Sequence, residues 1–220
     1  MWPGLVISRS GSVSAFEAAV VLAVVGVSFW WWREMRLDCD EEKMLAGMWR
    51  LGLFLAVALW LVRKIPGVQT GIMWLVTVGW WWRWCRYNKW DIWEWLDVMV
   101  PSLLLAGSGV NFAWGPKRLE YGAGYLAVWV ADLVIARVYR NFKWYKSGRV
   151  GFVGLAGLGL WALVELVVEI RRGNGIYWVG LTIEQWLAVW IFTAALVTIY
   201  LRSGRKITRD LPILARRTKT

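Results

Sequence analysis

The sequence of 220 residues contains no histidine and only two cysteines. The absence of histidine removes the commonest metal ligand and the commonest general base near neutral pH. The cysteines, Cys39 and Cys85, have no metal-type spacing and predict no disulfide framework. Any chemistry must therefore use carboxylate, arginine, lysine, tyrosine or cysteine groups, and we expect neither a metal nor another cofactor.

Acidic residues are also few, 15 against 26 lysines and arginines, which gives a net charge of +11. In a soluble protein this charge would suggest nucleic-acid binding. Here 59% of the residues are hydrophobic, the mean hydropathy is +0.46, and the basic residues lie between apolar runs. This placement is typical of loops beside an anionic lipid leaflet. We therefore expect membrane lipids, and no nucleic acid, as partners.

Apolar stretches long enough to cross about 30 Å of hydrocarbon as helices occur along the whole chain. Seven are predicted, near residues 15–32, 45–62, 71–82, 95–114, 121–139, 150–170 and 182–201. The first ends in Trp30-Trp31-Trp32-Arg33 rather than in a small-residue cleavage site, so it is interpreted as a span and not as a signal peptide. The fold class predicted is an all-α polytopic membrane protein, with a single transmembrane domain over residues 1–220.

The distribution of basic residues predicts the orientation of these spans. With the N-terminus outside, the segments assigned to the inside contain 18 lysines and arginines, and those assigned to the outside contain seven. Positive charge favours the cytoplasmic side. The prediction is therefore an external N-terminus and a basic cytoplasmic tail at residues 202–220.

Tryptophan and glycine have distinct patterns within this plan. The 21 tryptophans cluster at the ends of apolar runs, which is typical of an aromatic belt at the membrane surface. In the sixth span, glycines at positions 151, 154, 157 and 159 form a small-residue surface that lets a neighbouring helix approach closely. We interpret these glycines as packing residues.

Ionisable groups inside spans are costly and need a reason to be there. Five are predicted: Glu17, Arg50, Asp132, Glu165 and Glu169. Glu165 and Glu169 are four residues apart and so share one helix face. Two interpretations stay open: the glutamates pair with Arg50 or with Arg171 and Arg172 to hold helices together, or they form an intramembrane site.

A polar pocket is predicted in the outer half of the bundle. Asn111 lies near the end of the fourth span, Gly115-Pro116 should break that helix, and Glu120 follows. Irregular backbone at membrane depth is tolerated where it lines a cavity or is buried in protein. For Asn111, a simple helix cap is an equal alternative.

The last third of the chain resembles the bacterial prolipoprotein diacylglyceryl transferases. Gly148-Arg149-Val150, Val168-Glu169-Ile170-Arg171-Arg172 and the segment 180–187, Gly-Leu-Thr-Ile-Glu-Gln-Trp-Leu, are similar to consecutive motifs of that family. The segment 180–187 is the most specific match.

Earlier motifs follow in the family's order. Arg50-Leu51-Gly52, Asp97 to Pro101 and Leu119-Glu120 are similar to family motifs in the second, fourth and fifth spans. The family's R-[IL]-G-N-F falls on residues 108–112, where Asn111 and Phe112 match and Ser108 replaces the arginine. Its H-G-G falls on Gln69-Thr70-Gly71, without the histidine.

The resemblance implies transfer of diacylglyceryl from phosphatidylglycerol to the lipobox cysteine of a prolipoprotein signal peptide, in a bacterial plasma membrane. It implies Glu169, Asn111 and Arg50 as catalytic residues, with Glu169 or Glu120 as the base and Arg50 or Arg172 holding the phosphate. Substrate-binding residues are then Glu120, Arg172, Gln185 and Glu165.

Two alternatives to an active transferase are considered. One is a non-catalytic relative that binds phospholipid or lipoprotein precursor, because the family's histidine and one arginine are absent. The other is a small transporter, which predicts inverted repeats and polar residues along several spans. The sequence has neither feature.

Overall fold

The computed structural model describes residues 15–62, 69–142, 145, 150–172, 177–178 and 180–204. Within this part of the chain there are seven α-helices: α1 Ala15–Met35, α2 Glu41–Val62, α3 Gln69–Asn88, α4 Ile92–Trp114, α5 Leu119–Val138, α6 Phe152–Arg172 and α7 Ile183–Arg202. Strands Tyr177–Trp178 (β1) and Leu181–Thr182 (β2) pair antiparallel between α6 and α7. The all-α fold class is confirmed.

Five stretches among the described residues are long and apolar enough to cross a membrane: Ala15–Met35, Ile92–Trp114, Pro116–Asn141, Phe152–Arg172 and Ile183–Arg202. The helices α2 and α3 are not among them. The prediction of seven spans, and of their orientation, therefore stays a prediction. The predicted tail lies outside the described residues from residue 205 onward.

The two ends of the bundle are defined by contacts between helix termini. At one end Phe16 of α1 meets Trp114 of α4, with ring centroids 4.5 Å apart. We call this the Trp114 end, where α4 and α6 finish and α1, α5 and α7 begin. At the other end the Arg202 guanidinium carbon of α7 lies 4.1 Å from the centroid of the Trp93 ring of α4. We call this the Trp93 end.

Helix α4 is the central element and packs against α1, α5 and α6. Asp91 caps its first turn by accepting a hydrogen bond from the backbone nitrogen of Trp93 at 2.9 Å. Within α4, Ser102 donates to the Met99 carbonyl at 2.8 Å and accepts from Nε1 of Trp31 at 2.6 Å. This bond ties α1 to α4 beside Pro101, which removes one backbone donor from the helix.

Glycines bring α6 close to α4 and α5, as the sixth-span pattern predicts. A Cβ at Gly154 would overlap the backbone carbonyl of Leu96 on α4, and one at Gly157 would overlap Asp132 on α5. Helices in membranes gain much of their association from such close van der Waals packing. Asp97 adds a polar tie, since its carboxylate accepts from the backbone nitrogens of Gly151 at 2.6 Å and Gly154 at 2.7 Å.

Several tryptophans lie inside the bundle and not in a belt on its surface. Trp31, Trp81 and Trp95 have 7%, 3% and 0% of their surface exposed. Trp81 and Trp95 meet edge to face, with centroids 4.7 Å apart, and Trp31 lies 5.5 Å from Trp81. Edge-to-face contacts stabilise aromatic pairs beyond simple burial. The belt interpretation fits more exposed rings such as Trp49, of which 81% is exposed.

Candidate functional site

A sharp turn at the Trp114 end sets the start of α5. Helix α4 stops at Trp114, Gly115 takes φ 110°, and Pro116–Arg118 form one 3₁₀ turn. Glycine adopts positive φ without steric cost and proline cannot continue the preceding helix, so the Gly115-Pro116 pair breaks the helix as predicted. The first turns of α5 are thereby placed beside the last turns of α6.

Two tyrosines of α5 bond to the two glutamates of α6. The Tyr121 hydroxyl donates to Oε1 of Glu169, and the Tyr125 hydroxyl donates to Oε1 of Glu165. In each helix the two residues are four apart and lie on one face. Because α5 and α6 run in opposite directions, the pairs form two successive rungs between the helices. We call these four residues the tyrosine–glutamate ladder.

Two arginines lie beside the Tyr121–Glu169 pair, which is the rung nearer the Trp114 end. The guanidinium carbon of Arg172 lies 4.5 Å from the centroid of the Tyr121 ring, and that of Arg118 lies 5.1 Å from it. Arg172 also donates to the Lys117 carbonyl. Such placement over an aromatic face is attractive for a cation. Tyr121 is therefore held by a carboxylate at its hydroxyl and by two cations at its ring.

The charges of this group are close but are not joined as ion pairs. Arg118 and Arg172 both attract the Glu165 carboxyl electrostatically. Within the described part of the chain, neither Glu165 nor Glu169 forms an ion pair with them. The first sequence interpretation, in which arginines clamp the glutamates, therefore does not describe this geometry, because tyrosine hydroxyls occupy that role.

The arrangement offers complementary chemistry at one place. Guanidinium groups bind phosphate oxygens well because they are planar, permanently charged and rich in donors. A carboxylate nearby can accept a proton from a reacting group. Arg118 is exposed and Arg172 is half-buried, so both can meet a ligand arriving from the membrane surface.

Of the predicted site residues, Arg50 lies away from the ladder, and Asn111 bonds within its own helix. Arg50 is exposed on α2, and its guanidinium carbon is 5.3 Å from the centroid of the Trp84 ring on α3. Trp84 lies one turn beyond Trp81, which contacts the start of α4, so Arg50 belongs toward the Trp93 end. The Asn111 amide donates to the Gly107 carbonyl of its own helix at 2.8 Å.

Glu120 and Gln185 also have defined positions. Glu120 lies at the Trp114 end, next to Tyr121, and is exposed. Gln185 is 3% exposed. Its side chain accepts from the Thr182 backbone nitrogen at 3.0 Å, while the Thr182 hydroxyl accepts from the Gln185 nitrogen at 3.2 Å. This capping box starts α7 and explains the sequence pattern locally.

The residues predicted for the site did not include Arg118, Tyr121 and Tyr125. One signal for the tyrosines was present, because they repeat the four-residue spacing of Glu165 and Glu169 on the preceding helix of the chain. For Arg118 the signal was its place directly after the helix-breaking pair. Neither signal fixes which partner faces which, since that depends on the rotation of α5 against α6.

Comparison of the chain with protein-family models, with curated proteins and with solved structures finds no match. One residue matters for the resemblance drawn from motifs. Ser108, at the place of the family's arginine, is 2% exposed and donates to the Gly122 carbonyl of α5 at 2.8 Å. At this position the chain therefore has a packing contact between α4 and α5.

Proposed function

We propose that this chain is a phospholipid-dependent transferase of the bacterial plasma membrane. It moves diacylglyceryl from phosphatidylglycerol to the lipobox cysteine thiol of a prolipoprotein signal peptide. The observation that carries the proposal is the meeting of Arg118 and Arg172 with the tyrosine–glutamate ladder at the Trp114 end. The motif resemblance in the last third of the chain supplies the substrate class.

The reaction assigns a role to each group of this site. The thiol sulfur attacks the glycerol carbon that bears the phosphate ester, so a carbon–sulfur bond forms and a carbon–oxygen bond breaks. Glu169 accepts the thiol proton, and glycerol phosphate leaves with the bonding electrons. Arg118 and Arg172 stabilise the charge that develops on the departing phosphate. Tyr121 holds the Glu169 carboxyl in place between them.

The assignment differs from the sequence-based one in its cations. Arg50 is replaced by Arg118, because Arg118 lies beside Tyr121 whereas Arg50 stacks on Trp84. With seven spans and an external N-terminus, the Trp114 end faces outward. The reaction would then take place near the outer leaflet.

A transfer assay tests the proposal. Purified protein in vesicles of labelled phosphatidylglycerol is offered a lipobox peptide, with the Cys→Ser peptide as the acceptor control. We expect label on the cysteine peptide only, and about 100-fold slower transfer by Glu169→Gln, the usual scale for loss of a general base. The matched control is Glu34→Gln, an exposed glutamate near the end of α1 at the opposite end of the bundle. Full activity of Glu169→Gln would refute the base assignment.

A non-catalytic lipid-binding protein is the second candidate. Ser108 favours it, because the residue at the family's arginine position is committed to packing against Gly122. In this case the protein would bind phosphatidylglycerol vesicles, and Arg118→Gln with Arg172→Gln would weaken binding, but no label would reach the peptide. Absence of transfer, with a transferase of the resembled family active in parallel, would decide for this candidate.

A further inference from the structure

Asp132 of α5 is a carboxyl group that the proposed reaction does not use. Its side chain is fully buried, with 0% of its surface exposed. Neither of its oxygens has a hydrogen-bond partner among the described residues. Buried polar groups are nearly always hydrogen-bonded, and an isolated carboxylate in a nonpolar interior is strongly unfavourable. The charge state of this group therefore requires an explanation.

The surroundings of Asp132 contain no compensating cation in the described part of the chain. On α6, Gly157 lies against Asp132, and an added Cβ at Gly157 would overlap Oδ2 of Asp132. The same added Cβ would also overlap Val100 of α4. Asp97 of α4 is the charged group that acts on it, and this action is repulsive. Arg202 of α7 attracts Asp97. Asp132 therefore faces one carboxylate and apolar packing.

We propose that Asp132 is a proton-binding site inside the bundle. The close approach of α4, α5 and α6 holds it as a neutral carboxylic acid, and loss of the proton drives α5 and α6 apart. The proposed ligand is a proton and not a metal ion, because no group of three or more metal-ligating side chains occurs in the described part of the chain. The site is independent of the proposed transferase chemistry, although α5 and α6 also carry the tyrosine–glutamate ladder.

Infrared spectroscopy of the whole 220-residue chain in lipid vesicles tests directly whether Asp132 carries a proton. With ¹³C-carboxyl-labelled aspartate, we expect an isotope-shifted carbonyl band of a protonated carboxylic acid at neutral pH, which disappears in Asp132→Asn. The control is Asp91→Asn, which keeps the band, because Asp91 is an exposed cap at the start of α4 and takes no part in the packing of Asp132 against Gly157 and Val100. No such band, or a band that survives in Asp132→Asn, would overturn the proposal. If Asp132→Asn does not fold, absence of the band from labelled wild type would still overturn the proposal, and Asp132→Glu, which carries no labelled aspartate at this position, takes its place in assigning the band.

Stability measurements give a second readout. The folded bundle keeps a proton that an unfolded aspartate releases at about pH 4, so wild-type stability falls as the pH rises from about 4 towards neutral. Asp132→Asn has no proton to lose and therefore shows a smaller decline in stability over this pH range in detergent unfolding. Equal pH dependence of the two proteins would contradict the proposal. Stabilisation of wild type by sodium or lithium at constant ionic strength, absent in Asp132→Asn, would indicate a cation site instead and would also overturn it.

Discussion

Replacement of Asp97 tests how strongly α4 holds the beginning of α6. Its carboxylate accepts from the backbone nitrogens of Gly151 and Gly154 at 2.6 and 2.7 Å. Gly151 directly precedes α6 and Gly154 lies in its first turn, where backbone nitrogens have no partners within the helix. The carboxylate also opposes the positive end of the α6 dipole. Asp97 thus caps a helix that is distant in sequence.

The expected loss follows from these two bonds. Interhelical hydrogen bonds in membranes average about 0.6 kcal/mol, whereas bonds to charged groups reach about 1.5 to 3 kcal/mol. Loss of both bonds in Asp97→Ala should therefore cost about 2 to 4 kcal/mol. Asp97→Asn keeps one acceptor oxygen and loses the charge, so we expect about 1 to 2 kcal/mol, which is roughly tenfold in the unfolding equilibrium.

The loss of stability in the Asp97 variants is measured by unfolding in mixed micelles with increasing mole fractions of sodium dodecyl sulfate. Helix content is followed by circular dichroism. The matched control is Asp91→Asn, an exposed cap at the start of α4, where asparagine caps about as well as aspartate. The control should change stability by less than about 0.5 kcal/mol. If Asp97→Ala were as stable as wild type, the cap that Asp97 of α4 provides to the start of α6 would not contribute to folding.

Three further outcomes are expected from the same unfolding assay and from thiol labelling. Gly154→Ala should lose about 1 to 3 kcal/mol of unfolding free energy, because the added methyl group meets the Leu96 backbone. The control Gly109→Ala, where the added methyl group has open space, should be neutral or stabilising. Equal effects of the two substitutions would contradict the close packing of α6 on α4. Thr182→Ala should cost about 1 kcal/mol by removing the α7 cap, with unchanged transfer per folded molecule; a selective loss of transfer would indicate a substrate role. Burial raises the pKa of the Cys39 thiol, so folded protein should react with a thiol reagent at mildly alkaline pH more slowly than unfolded protein, and equal rates would contradict this.

The helices were predictable because hydrophobicity dominates this sequence. Each of the seven predicted stretches falls on one helix of the described chain and extends at most two residues beyond it. The break at Gly115-Pro116 follows from backbone chemistry alone. The close approach of the sixth helix also followed from its glycines. These features depend on local composition, and so a single sequence is enough to find them.

The partners of the polar residues were harder to predict, because they depend on helix rotation. The four-residue spacing places Glu165 and Glu169 on one helix face, but it does not say that tyrosines rather than arginines meet them. Similarly, Asp97 is near the start of a span, and its bonds to Gly151 and Gly154 arise only when α4 and α6 lie side by side. The tryptophans show the same limit, since Trp95 is fully buried although its position at the end of a run resembles a belt residue.

The contrast between the two ends of the bundle bears on where chemistry can occur. At the Trp93 end the two charges beside the start of α6 are committed: Asp97 caps α6, while Arg202 lies over Trp93 and donates to the Val150 carbonyl at 2.7 Å. At the Trp114 end, Arg118 and Arg172 lie beside carboxylates without forming ion pairs in the described chain. A phosphate at the Trp114 end would meet Arg118 and Arg172 without breaking an ion pair of the described residues, whereas a phosphate bound by Arg202 would have to compete with the Val150 carbonyl. The proposed phosphate site is therefore placed at the Trp114 end, and Arg118 and Arg172, rather than Arg50, are the cations to test first.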